Sequence, residues 1–549
     1  MDMAKTSDLW WKNAVFYCLD VETFRDGNGD GVGDFLGLAD RIDYLAGLGV
    51  TCLWLMPFYP TANRDDGYDI IDYYAVDPLY GSLGDFVEFL RTARDRGIRV
   101  IADLVVNHTS AEHPWFKASR SDKASPFRDW YVWQDKIPEG ASENLVFPDK
   151  ETSNWELDRK TGQYYLHRFY THQPDLNVTN PDVREEIRKI IGFWLEVGLS
   201  GFRVDAVPFL LETEGVEQSM EMAPHDWLRN LRGFLGRRRG DALLLGEVNL
   251  EYEAVREFYG DGGGGELHMC LNFNLNQAFA LALVREDAGA LVHDLRAMPT
   301  LPQDGAWANF VRNHDEWSLD KLTEAERQEV FRAFGPKPDM QIFGRGLRRR
   351  LPTMLNGDQA RLRMAYSLMF SLPGAPVLFY GEEIGMAENL EIEGRMSVRS
   401  LMQWSDRENG GFSEAPAETL CRPLLKSKKW GASAINVRDQ ESDPNSLLAW
   451  MESLIRRRRE MPEIAFGNWS LVPISDPAVL ALSYDWGERR SILIHNLASD
   501  KKEISFRLDP AQGENSIVDR VGGDDITVQK DGAVTLSLAG YGCRWLKFS

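Results

Sequence analysis

The chain has 549 residues, 43% apolar and 11% aromatic, which suits an ordered protein with more than one domain. Its 84 acidic residues outnumber 62 basic ones, and the formal charge of −22 argues against nucleic acid and anionic membrane as partners, while leaving neutral substrates and cations. Five widely spaced cysteines without a CxxC pair, an N-terminus without an apolar signal core and no run of membrane-span length point to a cytoplasmic protein with free thiols.

Short apolar runs recur along the chain, separated by stretches of helical periodicity. In order they are AVFYCLDVETF (14–24), VTCLWLMPFY (50–59), RVIADLVVNH (99–108), GFRVDAV (201–207), LLLGEV (243–248), HMCLNF (268–273), WANFVRNHD (307–315) and APVLFYGEE (375–383). Eight such β/α units predict an α/β fold, a (β/α)8 TIM barrel over 1–106 and 174–462. Between them, 107–173 is rich in Trp, Tyr, Pro, Ser and charge and reads as an inserted domain after strand 3. After the helix PNSLLAWMESLIRRRREMP, whose RRRR (456–459) reads as a solvated face, alternating segments predict a C-terminal antiparallel β-sandwich over 463–549.

Polar residues collect at the strand ends: Asp103, Asn107 and His108 on strand 3, Arg203 and Asp205 on strand 4, Glu247 on strand 5, His314 and Asp315 on strand 7. Strand alternation puts Arg203 and Asp205 on one face, and a barrel would bring all of these to one mouth. Three carboxylates there suggest glycoside cleavage, in which an acid protonates the leaving oxygen and a carboxylate faces the anomeric carbon. Arg203 is expected to lower the pKa of Asp205, suiting a nucleophile, and an apolar strand end to raise that of Glu247, suiting the acid/base. Each residue alone reads more simply as an ion pair or cap; the joint pattern favours catalysis. Separately, DGNGDGVGD sets Asp26, Asn28, Asp30 and Asp34 among glycines, an oxygen-rich loop suited to Ca²⁺, although Gly37 stands where an EF-hand has its bidentate glutamate.

DLVVNH, GFRVDAV, GEVN and FVRNHD resemble, in order, the four signature regions of the α-amylase family (glycoside hydrolase family 13), and QPDLN (173–177) resembles its fifth. The resemblance implies a retaining mechanism through a covalent glucosyl–enzyme, with Asp205 as nucleophile, Glu247 as acid/base and Asp315 as transition-state stabiliser. It implies that His108, Arg203 and His314 bind the sugar, that Asp65 and Tyr68 of DDGYD close off and stack on the innermost glucose, and that Arg399 belongs to the substrate-binding set. For Ca²⁺ it adds the Val32 carbonyl, and a second site at Asn107, Asp175 and Glu212 with the carbonyls of Phe209 and Leu210. Stretches such as YYLHRFYTHQPDLN and GRGLRRRLPTMLNGD are similar to members that interconvert maltose and trehalose, which implies these short α-glucosides as partners. The segments GEVN, EGRMSVRSLMQW and HDEWSLD depart from that pattern near the acceptor pocket, leaving hydrolysis or transfer to another acceptor open. A non-catalytic binding member is a further reading, disfavoured because all three carboxylates are kept. A homo-oligomer is left open.

Overall fold

The computed structural model describes residues 9–211, 224–260, 264–507, 517–522, 526 and 532–548. Eight parallel strands close into a barrel: β1 Phe16–Leu19, β2 Cys52–Leu55, β3 Arg99–Leu104, β4 Gly201–Val204, β5 Leu243–Gly246, β6 Met269–Leu271, β7 Ala306–Phe310 and β8 Ala375–Phe379. All eight arise from the eight apolar runs. Each strand is buried almost throughout, because helices cover its outer face and packed side chains fill the interior. β8 pairs with β1, Phe16 opposite Val377, so the ring has no edge. The helices begin on side-chain caps: Asp34 accepts from the Gly37 amide ahead of Phe35–Asp40, and Asn180 from the Asp182 amide ahead of Pro181–Val197.

After β3 the chain leaves the barrel and forms a three-stranded antiparallel sheet from Trp133–Gln134, Trp155–Asp158 and Gln163–Leu166. Its own core is small (Val132, Trp155 and Leu166), and it returns to the barrel where the Leu176 amide donates to the Asn107 carbonyl. A second excursion follows β7, a small sheet of Trp317–Ser318, Gln341–Ile342 and Gly346–Leu347. Sequence pattern gives no warning of it, since each strand has only two residues.

At the C-terminus a five-stranded sheet (Asn468–Leu471, Val479–Trp486, Arg489–Asn496, Ile517–Asp519, Cys543–Phe548) faces a two-stranded one (Lys502–Arg507, Ala533–Leu538). Val479, Ala481, Ile492 and Ile494 pack against Ile504, Phe506, Val534 and Leu536, so the two sheets share one core. This unit is bonded to the barrel helix Gln359–Ser371: Trp545 Nε1 donates to Ser367 Oγ (2.9 Å), His495 Nε2 meets the same hydroxyl (2.9 Å), and the Tyr484 hydroxyl donates to the Ser371 carbonyl (2.6 Å), all buried. The arginine run is not wholly solvated. Arg458 is buried and donates to Asn13 Oδ1 (3.0 Å) and to the carbonyls of Phe370 and Gly374, because its helix, Leu447–Arg459, packs that face against the barrel floor. Among the described residues no helix is long and apolar enough to cross a membrane.

Candidate active site

The register of β3 on β4 sets Asp103 opposite Arg203. Both are buried, yet neither is unpaired. Arg203 Nη1 donates to Asp103 and to Asp205 Oδ1 (2.7 Å), while Nη2 donates to Glu247 Oε2 (2.8 Å). One guanidinium therefore ties together three carboxylates from the ends of three neighbouring strands. That is why a cation and a carboxylate can stand in an apolar strand: each satisfies the other where water is excluded. Just past β4, Ala206 has a φ of 47°, a left-handed conformation rare for a side-chain-bearing residue. The turn points its amide at Glu247 Oε2 (3.0 Å), fixing a second donor on that carboxylate.

The electrostatics differ from expectation at Asp205. Burial pushes its carboxyl up to about 6, and Asp103 and Asp315 add to the rise, so Arg203 opposes the shift without reversing it. Glu247 is raised as expected, by burial first, with Asp205 and Asp315 contributing against Arg203. Asp315 goes the other way. Burial raises it, but the hydrogen bond from His314 and the charges of Arg395 and Arg399 together outweigh burial and hold it well below the usual carboxylate range. Burial keeps His314 neutral, at about 4.

Asp65, Tyr68, His108, Asp205, Glu247 and Asp315 line one cavity of about 460 Å³. Arg203, His314 and Arg399, expected to hold the sugar, lie one layer below the lining. Arg399 donates to Asp315 Oδ1 (3.0 Å), to Asp66 and to the His314 carbonyl (2.9 Å). His314 Nε2 meets the Tyr68 hydroxyl at 2.7 Å, and the two rings stack with centroids 5.7 Å apart. Most of their polar atoms hold the lining residues, with Arg203 Nε and His314 Nδ1 left without a partner among the described residues.

Arg395 is the residue that sequence reasoning missed. It lines the cavity and joins Asp65 Oδ1 (2.5 Å) to Asp315 Oδ1 (2.8 Å), with Gln173 Nε2 donating to the other oxygen of Asp65 (2.9 Å). The Asp65–Arg395 pair closes one end of the cavity. Its signal was present: Arg395 stands four residues before Arg399 in the stretch already singled out. Over the mouth, Phe147 and Phe169 from the inserted domain meet Phe343 and Phe209 (ring centroids 5.2 and 5.7 Å), and Arg345 Nη2 donates to the Val146 carbonyl (2.7 Å), tying the two excursions together. At the other end Asn249 Nδ2, Gln277 Nε2 and Ser318 Oγ all donate to Asp320 (3.2, 2.8 and 2.7 Å).

In the aspartate-rich loop, Asp26 accepts from the Gly29 and Gly31 amides and from Ser413 Oγ, and Asp34 from those of Gly27, Asn28 and Gly37. Asn28 and Asp30 are exposed and hydrogen-bonded to each other (3.0 Å). Asp34 is raised by burial despite its amide donors, and Asp26 adds to the rise. Asn28 Oδ1 accepts from the Asp30 amide (2.9 Å) and Asp30 Oδ1 from the Val32 amide (2.9 Å), yet each oxygen keeps a second lone pair, so with Asp26 and Asp34 the loop has the oxygen donor set that a hard divalent cation takes. The second site does not fit: Asp175 is buried in an ion pair with Arg168 (2.9 Å), which supplies the positive charge a metal would, and Asn107 Nδ2 faces His108 Nδ1 (3.4 Å). Phe209 and Leu210 lie in the helix Val207–Leu211, and Glu212 lies outside the described residues. Among the described residues, the one trio of acidic, His or Cys groups with ligand atoms within 4.8 Å of one another is Asp20, Glu22 and Asp66, which no sequence pattern indicated.

A closed (β/α)8 barrel with carboxylates at the C-terminal ends of neighbouring strands is an arrangement that enzymes cleaving glycosides use, among other barrel enzymes. The family described as "Alpha amylase, catalytic domain" matches residues 21–333 and 347–467, and "Sucrose hydrolase-like, C-terminal domain" matches 490–547. The chain belongs to the α-amylase family, glycoside hydrolase family 13, and is one of its enzymes. It is 41% identical to trehalose synthase of Thermus thermophilus, over 92% of this chain and 52% of that protein, so it spans about half of that relative's length. It is 38% identical to trehalose synthase of Pimelobacter sp. (strain R48), over 98% of this chain and 96% of that protein. Among solved structures it superposes on a mutant of trehalulose synthase MutB with a TM-score of 0.77 at 27% identity, covering 98% of this chain and 100% of the other.

Proposed function

We propose that the protein isomerises maltose and trehalose by intramolecular α-glucosyl transfer through a covalent glucosyl-aspartate. The observation that carries this reading is the cavity itself. It is closed at one end by Asp65–Arg395, roofed by aromatic rings from two excursions, and flanked by Asp205 and Glu247 bridged through one guanidinium. Such a pocket takes a single terminal glucosyl unit. The Glu247 carboxyl donates its proton to the glycosidic oxygen as Asp205 attacks the anomeric carbon, forming the ester and releasing glucose. Asp315, held ionised, accepts hydrogen bonds from ring hydroxyls as charge develops. The freed glucose stays under the roof, turns, and attacks the anomeric carbon through a different hydroxyl while Glu247 removes that proton; the new glycosidic bond forms as the bond to Asp205 breaks and its carboxylate is released. The overall reaction is isomerisation, with no water consumed. The trehalose synthases among the relatives support this choice.

A hydrolytic α-glucosidase is the second reading. It is favoured by the acceptor end, where Asp320 already accepts from Asn249, Gln277 and Ser318 and so grips a second sugar less firmly. With water as acceptor the same residues give two glucose molecules. Incubation of the protein with maltose is expected to give trehalose ahead of glucose in the first minutes, followed by chromatography; glucose as the dominant early product overturns isomerisation in favour of hydrolysis.

Ca²⁺ would be held by Asp26, Asn28, Asp30, Asp34 and the Val32 carbonyl, where it supplies structure rather than chemistry, fixing the loop that follows β1. A metal bound only by the folded state stabilises it, by about 2.7 kcal/mol at a hundredfold excess over Kd. Chelation is therefore expected to lower Tm by several degrees, with calcium found by elemental analysis; an unchanged melt and no metal overturn the assignment.

A further inference from the structure

We propose that Arg422 is a positioning residue for Asp315, acting through Asp66 and Arg399 from outside the cavity. Arg422 follows the long irregular stretch after β8 and does not line the pocket. Its Nη2 donates to Glu22 Oε2 (2.8 Å), just past β1, and to Asp66 Oδ1. The other oxygen of Asp66 accepts from Arg399 Nη1, and Arg399 Nη2 donates in turn to Asp315 Oδ1 (3.0 Å). The result is a line of alternating charge, Arg422–Asp66–Arg399–Asp315, running from half-buried Arg422 through buried Asp66 and Arg399 to a cavity carboxylate.

The trio Asp20, Glu22 and Asp66 could not stand this close without cations. The protein supplies two, Arg399 and Arg422, but Arg399 is shared with Asp315. Burial raises Glu22 well above its ordinary range, with Asp66 and Asp20 adding to the rise and Arg422 opposing it; Arg422 Nη2 is bonded to both Glu22 and Asp66. Asp66 itself stays ionised, at about 2: burial would raise it, and Arg399 and Arg422 outweigh burial. Without Arg422, Asp66 would draw on Arg399 alone, and the guanidinium would shift from Asp315 towards the three outer carboxylates. The backbone holds Arg422 in place for this role. The Cys421 amide donates to the Gly31 carbonyl (3.0 Å), and Cys421 Sγ lies 3.3 Å from the Glu22 carbonyl.

The inference rests on the α-glucoside reading only for its kinetic arm. The assay is release of p-nitrophenol from p-nitrophenyl α-glucoside, which needs cleavage but neither isomerisation nor a particular acceptor. Arg422→Met is expected to lower kcat by about 10–100-fold, the scale of a misplaced catalytic group, with KM changed by less than about twofold, because the pocket wall is intact. Arg422→Lys keeps a cation there and is expected to recover most of the rate. In an Arg399→Lys background, Arg422→Met should cost little more, since both act along one line. Fully additive losses, or a wild-type kcat in Arg422→Met, overturn the proposal. A crystal structure of Arg422→Met, or of Arg422→Lys if the former does not fold, decides it independently of activity. Arg399 displaced from Asp315 in Arg422→Met, or the full line restored in Arg422→Lys, supports the inference; Arg399 still bonded to both Asp66 and Asp315 without Arg422, or a broken line with wild-type kcat in Arg422→Lys, overturns it. An inactive wild type would overturn the glucosyl reading and leave the crystallographic result to judge Arg422.

Discussion

If Asp205 is the nucleophile proposed above, replacing it by asparagine is expected to lower kcat on maltose by about 10,000-fold or more, the scale seen when a covalent nucleophile is removed. An amide cannot form the glucosyl ester, and neither Asp103, beneath it on Arg203, nor Glu247, which must carry the proton, can substitute. Folding survives the change. The wild-type carboxyl is raised to about 6, so between the ordinary carboxylate pKa and 6 the native state binds more protons than the unfolded one. Stability contributed by Asp205 is therefore present at acid pH and lost as pH rises through that window. The asparagine carries no charge to be penalised, and Tm at pH 7 should be unchanged or higher. The wild-type rate should run the opposite way, rising as pH increases through about 6 when the nucleophile ionises. Initial rates and melting curves across pH 4–8 test both arms. A fully active Asp205→Asn, or a Tm that falls by many degrees, contradicts the assignment.

Replacing Arg203 by methionine is expected to cost both stability and chemistry. The side chain is apolar and ends about where Nε of the arginine stands, so packing of the stem is kept while the guanidinium and its charge are lost. Asp103, Asp205 and Glu247 would then share a buried corner without their common cation. Removing one partner of a buried ion pair costs about 3–5 kcal/mol, and here three partners are stranded. They can escape only by taking up protons, which disables the nucleophile at neutral pH. Denaturant unfolding should show the loss in midpoint with little change in slope, and residual activity should appear only at alkaline pH, where Asp205 can still ionise. A variant with wild-type stability and pH profile would mean that the guanidinium is not what keeps the three carboxylates together.

Much of the architecture was legible because it rests on patterns a chain must display. The eight barrel strands are apolar on both faces and bounded by helical periodicity, and the β-sandwich strands alternate. The strand-end carboxylates could be seen because charge in a dry strand is itself a signal. What was hidden depends on contacts between distant segments. The pKa of Asp205 could not be read from Arg203 alone, since Asp103 and Asp315 reach it only once the ring closes. Arg395 and Arg422 sit in irregular backbone with no periodicity to mark their direction. Arg168 pairs with Asp175, seven residues on, where the resemblance implied a metal ligand, and Arg458 turns inward from a run that looks solvated.

The buried bonds from Trp545, His495 and Tyr484 onto a barrel helix bear on how this polypeptide can be re-engineered or evolve. Cutting the last eighty-odd residues away would bare to water apolar side chains of the helix Gln359–Ser371, which share one core with Leu482, Leu493 and Trp545. The terminal segment therefore behaves as a keystone rather than an accessory: a swap with a relative's tail must bring matching donors with it.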